Sequence, residues 1–133
     1  MTHNEILLDS PKAIRDHLRS SIEPEPGHGV RMVLCDDRNK VLTHVHIGEA
    51  PADPNDEDCV KIVMPFAHAM CGGPASGAMV LALTRPGPPT LSAADRRWFR
   101  AAHQVCAEHD VRLLGVHVVT PRGQREVLLD DAL

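Results

Sequence analysis

The most constraining feature of the sequence is an unbroken apolar run from Ala78 to Leu83, with loop-forming residues on both sides. A strand with apolar side chains on both faces must be covered on both faces, like the central strand of a sheet between two layers of helix. The run is also far too short to cross a bilayer as a helix. It therefore predicts a buried central strand in a layered α/β domain.

Periodicity and turn residues predict the elements around this strand. In chain order they are a helix opened by Ser10 and Pro11, a hairpin of Val30 to Cys35 and Val41 to Ile47, a helix after the acids Asp56 to Asp58, the strand at Ala78, a helix from Ser92 to His109, a strand from Val111 to Thr120 and a last strand from Glu126 to Leu129. This α-β-β-α-β-α-β-β order predicts an α/β fold, a three-layer α/β sandwich with a mixed β-sheet. The 133 residues suit a single domain, residues 1–133.

Composition and charge argue against several classes of protein. The net charge is −4, with no Tyr, one Trp and two Phe, so neither the basic patch nor the stacking aromatics of a nucleic-acid binder are present. Neither a signal peptide nor a membrane span is visible, which predicts a cytoplasmic protein without a membrane partner. No C-x-x-C pair occurs, so buried thiols rather than disulfides are predicted at Cys35, Cys59, Cys71 and Cys106.

Four segments, taken in order, carry a family resemblance. The segment Arg85 to Asp95 reads R-P-G-P-P-T-L-S-A-A-D and resembles the motif H-P-S-G-D-P-T-P-S-x-x-D, while Ala78 to Ala82 resembles the strand that precedes it. Asp36 to Leu42 is similar to a first hairpin turn, and Val116 to Glu126 to a final strand pair. Together they resemble the RadC-like branch of the JAB/MPN (JAMM) metalloprotease family from about Leu7 to Leu129. The resemblance implies the JAB/MPN-like, cytidine-deaminase-like form of the sandwich.

The resemblance implies the chemistry of that family, in which two His and one Asp hold a zinc ion, a Glu acts as base and a Ser stabilises the oxyanion. Carried onto this sequence, the two His positions fall on Leu83 and Arg85, and the Glu falls at or next to His28. Leucine cannot bind a metal, and arginine stays cationic. Only Ser92 and Asp95 retain the family residues, in a loop one residue shorter than the motif. An S-x-x-D pattern before a helix is also typical of a capping box.

The resemblance therefore implies a catalytically inactive domain with no zinc cofactor and no assignable catalytic residue, which binds a protein partner or itself. Two alternatives stay open. His28, His44 and His46 could converge on the predicted hairpin as a relocated zinc site of a hydrolase, because alternate strand residues share a face. Arg85 could instead bind a small anion beside the free N–H groups of the helix that follows.

Overall fold

The structure, a computed structural model, describes residues 5–22, 29–48, 50–51, 53–72 and 76–132. In chain order its elements are α1 (Pro11–Ser21), β1 (Gly29–Cys35), β2 (Val41–Ile47), α2 (Asp56–Met70), β3 (Ala78–Thr84), α3 (Ala93–Glu108), β4 (Arg112–Thr120), β5 (Gly123–Val127) and a closing 3-10 helix (Leu129–Ala132). Among the helices within these ranges, none is both long and apolar enough to span a bilayer.

The strands form one mixed sheet in the order β2-β1-β3-β4-β5. Strands β3 and β4 run parallel, whereas the other neighbouring pairs are antiparallel. All seven residues of β3 are buried, so the apolar run does form the central strand. The hairpin of β1 and β2 and the helix α3 also form where the sequence predicts them.

Helices cover the sheet on both faces, which confirms the three-layer α/β sandwich. Helices α2 and α3 bury the larger cluster, which includes Met32, Leu81, Val63, Trp98 and Val105. Helix α1 covers the opposite face, with a cluster that includes Ile14, Leu18, Val33, Val80 and Ala82. Because side chains alternate along a strand, each inner strand contributes to both clusters.

The start of each long helix is set by side chains that accept backbone hydrogen bonds. Ser10 Oγ accepts from Ala13 N at 3.0 Å and opens α1, as predicted. Asn55 and Asp58 form a capping box at α2, where the acids alone had indicated the helix start. Such caps satisfy N–H groups that have no partner inside the helix.

Two predictions from the sequence are wrong in detail. Strand β5 spans Gly123–Val127 rather than Glu126 to Leu129, because the chain reverses within a tight turn where Gly123 pairs directly with Thr120, and Leu129 already begins the closing 3-10 helix. Gly123 has a φ of 142°, a conformation that glycine adopts most readily. Cys71 is exposed, since it follows the last turn of α2, while the other three cysteines are buried and all four are free.

Candidate functional site

Most of the site positions that the resemblance implies line one cleft. The cleft has a volume of about 270 Å³ and lies where β3 ends and α3 begins. Leu83 and Arg85 approach it from the strand, and Ser92 and Asp95 from the helix start. The structure therefore brings together four of the five predicted positions. The fifth, His28, lies outside the described residues.

An ion pair dominates this cleft. Arg85 Nη1 donates to Asp95 Oδ1 at 2.6 Å, and Arg85 Nη2 donates to Asp95 Oδ2 at 2.8 Å. Arg85 Nη2 also donates to the carbonyl oxygen of Thr90 at 2.5 Å. The Asp95 side chain is 2% exposed and that of Arg85 is 16% exposed, so the pair is largely shielded from water. The two-point geometry is the strong form of arginine–carboxylate contact.

Asp95 also forms the capping box that starts α3. Its Oδ2 accepts from Ser92 N at 2.8 Å, and Ser92 Oγ accepts from Asp95 N at 3.2 Å. The capping role predicted for these two residues is therefore confirmed. Both carboxylate oxygens of Asp95 are occupied, one of them twice. A metal could reach this carboxylate only after the guanidinium of Arg85 had left.

Leu83 belongs to the hydrophobic core, not to a polar site. It is 4% exposed and shares the α2–α3 cluster with Trp98. Arg85 lies two residues further on, so the two positions at which the resemblance implies histidine hold a core hydrocarbon and a cation that is already paired. A small anion bound at Arg85, as the sequence predicted, would meet a guanidinium whose charge Asp95 already balances.

The histidines of the hairpin have a different setting from the predicted cluster. His44 Nε2 lies 2.9 Å from Nε2 of His17 on α1, and the two ring centroids are 5.0 Å apart. Burial, and then the neighbouring His44, lowers the pKa of His17. One nitrogen of the close pair must donate a hydrogen and the other accept it, so the contact needs at least one neutral ring. His17 lies on the buried side of α1, and nothing in the local sequence indicates its partner.

His46 lies on the same side of β2 as His44, as the alternation predicts. Its register partner on β1 is Arg31. His28, the remaining member of the predicted zinc cluster, lies outside the described residues. Within the parts of the chain that the structure describes, no three His, Cys, Asp or Glu side chains are grouped so that they could hold a metal ion.

No protein-family model matches the chain, and no curated protein matches it in sequence. The likeness to the RadC-like branch rests on the ordered segments themselves.

Proposed function

We propose that the chain is a catalytically inactive JAB/RadC-like domain that acts in the cytoplasm as a protein-interaction or scaffold module. The observation that supports this most directly is the ion pair between Arg85 and Asp95. In a catalytic member of the family, the carboxylate would face a zinc ion. Here the guanidinium supplies the positive charge, and the cleft becomes a structural joint between β3 and α3.

Electrostatics favours the guanidinium over a metal at this position. Two like unit charges about 4 Å apart repel by about 4 kcal/mol at an effective dielectric of 20, and a dication doubles that figure. Zinc also needs three protein ligands and a water in a catalytic site. The family positions here provide Asp95 alone, since Leu83 has no donor atom. Restoring a single ligand should therefore recover no metal binding.

A sheet edge supports the interaction role. Strand β2 ends the sheet on one side, and its residues Val41–Ile47 include no Lys, Arg, Asp, Glu or Pro. Val41 N donates to the carbonyl oxygen of Ile6 at 2.9 Å, but beyond it no described strand lies on the outer side of β2. Unguarded edges with β-branched residues readily add a strand from another chain. We infer that a partner, or a second copy of the domain, pairs along this edge.

Metal content tests the inactive-domain proposal. Protein purified without a histidine tag should retain no stoichiometric zinc after dialysis and should cleave no isopeptide bond. The double variant Leu83→His with Arg85→His should remain zinc-free, because the shortened loop and the missing Glu are unchanged. About one zinc per chain would overturn the proposal. Loss of that zinc in His46→Ala would instead establish the relocated site of His28, His44 and His46.

The edge proposal has its own test. Thr43→Lys places a charge on β2, and it should abolish self-association or capture of the partner in sedimentation and pull-down experiments. Gln104→Lys adds the same charge on the exposed side of α3 and serves as the matched control. A wild-type protein that stays monomeric and recovers no partner from its host would contradict the interaction role.

A further inference from the structure

A second cleft, on the α1 side of the molecule, gathers three arginines. It has a volume of about 440 Å³ and lies between the second half of α1 and the turn from β4 to β5. We call it the arginine cleft and define it by Arg15, Arg19 and Arg122, with Gln124 at its wall. It is separate from the cleft of Arg85 and Asp95, and its argument does not depend on the function proposed above.

Local structure explains why the three arginines line one cleft. Arg15 and Arg19 are four residues apart on α1, so they share one side of the helix. Arg122 lies in the β4–β5 turn, which is held by Thr120: Thr120 Oγ1 accepts from Arg122 N at 3.1 Å and donates to the carbonyl oxygen of Gly123 at 3.3 Å. The turn is therefore a fixed support for the third arginine.

A direct contact joins the two sides of the arginine cleft. Gln124 Nε2 donates to the backbone carbonyl of Arg15 at 3.0 Å, which ties β5 to α1. The other amide atom, Gln124 Oε1, is buried and accepts no hydrogen bond from any described residue.

The described walls of the arginine cleft carry positive charge only. No aspartate or glutamate is among the described residues that line it. Elsewhere in the structure, arginines meet carboxylates directly: Arg97 contacts Asp53 at 2.7 Å and Arg100 contacts Asp56 at 3.1 Å. The chain as a whole carries a net charge of −4, so a basic cleft runs against its composition.

Asp16, the one acid of α1, is shared among three cations, because first Lys12 and then Arg19 and Arg15 lower its pKa. Asp16 accepts from Lys12 Nζ at 2.7 Å and does not line the arginine cleft. Arg15 also acts on the interior. The pKa of the buried His117 is lowered to about 4, first by burial and then by the positive charge of Arg15. Solvent exposure accounts for a single arginine, and the helix dipole for Arg19 in the last turn. All three arginines are exposed, and they come from two elements around one cleft.

We propose that the arginine cleft binds the phosphate group of a small molecule. Guanidinium groups bind phosphate oxygens in pairs, and three of them match an anion of charge near −2. The volume exceeds that of one phosphate group, and the buried Ile22 and Val119 form an apolar floor beneath an organic part of the ligand. The ligand class is therefore a phosphate-bearing metabolite rather than a carboxylic acid alone.

Calorimetry and NMR on the intact chain test this assignment. The probes are inorganic phosphate and, as an organic phosphate, adenosine diphosphate. Both should bind once per chain and should shift the side-chain Nε–H signals of Arg15, Arg19 and Arg122. Arg19→Gln and Arg122→Gln should each weaken binding about tenfold, the usual loss for one charged hydrogen bond. Tighter binding of adenosine diphosphate would identify an organic phosphate as the ligand, and equal binding would identify phosphate itself.

Arg38→Gln is the matched control. Arg38 is an exposed arginine in the β1–β2 turn, at the opposite end of the sheet, and its replacement removes the same charge. It should leave both affinities unchanged. Equal weakening by Arg38→Gln would reduce the effect to general charge attraction and overturn the proposal. Absence of binding at millimolar concentrations by a folded wild-type protein would overturn it as well.

Discussion

The buried imidazole of His117 should make the stability of the protein depend strongly on pH. His117 is 2% exposed on β4, and neither ring nitrogen has a hydrogen-bond partner among the described residues. Burial, followed by the positive charge of Arg15, lowers its pKa from 6.5 to about 4. Glu126 lies opposite His117 on β5. Both residues line a cavity of about 190 Å³, which Asp9 also lines.

The sign follows from which state binds the proton. Below about pH 6.5 the imidazole of the unfolded chain is protonated, whereas the native imidazole stays neutral until about pH 4. Acid therefore favours the unfolded chain, and stability is lost as the pH falls through this window. The difference between the two pKa values corresponds to about 3 kcal/mol of unfolding free energy. Below pH 4 both states carry the proton, and the loss from His117 stops growing.

Urea denaturation measures this loss. Trp98 is the sole tryptophan and is buried, so its fluorescence reports unfolding. Between pH 7 and pH 4, wild type should lose about 3 kcal/mol more than His117→Leu, because the substitution removes the titrating ring and leaves the carboxylates in place. Arg15→Gln should raise the native pKa of His117 in an NMR titration. Parallel pH profiles for wild type and His117→Leu would refute the reasoning, as would a native titration midpoint near 6.5.

Denaturant melts test three substitutions, two at the cleft of Arg85 and Asp95 and one at Gly77, which precedes β3 at the other end of the sheet. Ser92→Ala removes a cap and should cost about 1 kcal/mol, whereas an unchanged melt would contradict the capping role. Asp95→Asn should cost more, about 3 kcal/mol, because it leaves the buried charge of Arg85 without its partner; a cost no larger than that of Ser92→Ala would contradict the ion pair. Gly77→Ala should cost about 1–3 kcal/mol, since the new methyl group would overlap the carbonyl oxygen of Cys35, and a neutral result would show that this contact is loose.

Most of the architecture could be predicted from local patterns. The apolar run at β3 implies cover on both faces, and the structure has helices on both faces. The pattern S-x-x-D before a periodic helix implies a cap, and Ser92 and Asp95 form it. Such features depend on residues a few positions apart, whose geometry is dictated by the repeat of a helix or strand. Where the local signal is weaker, as at β5, the boundary moved by three residues.

The site depends on contacts between residues far apart in the sequence, which the short repeat of a helix or strand does not predict. The loop Arg85 to Asp95 indicated a lost metal site, but only the fold brings the guanidinium onto the carboxylate. His17 and His44 are 27 residues apart in sequence and 2.9 Å apart in space. Arg19 and Arg122 meet at one cleft because α1 crosses the sheet beside the β4–β5 turn.

Sequence alone thus determined the layers and the elements of the fold. Tertiary structure alone decided which charges are paired, as at Asp95, and which share a cleft with no acid among its described lining residues, as at Arg122. The physical reason is that backbone conformation responds to neighbouring residues, whereas the electrostatic role of a side chain is set by whatever packing places within a few ångströms of it.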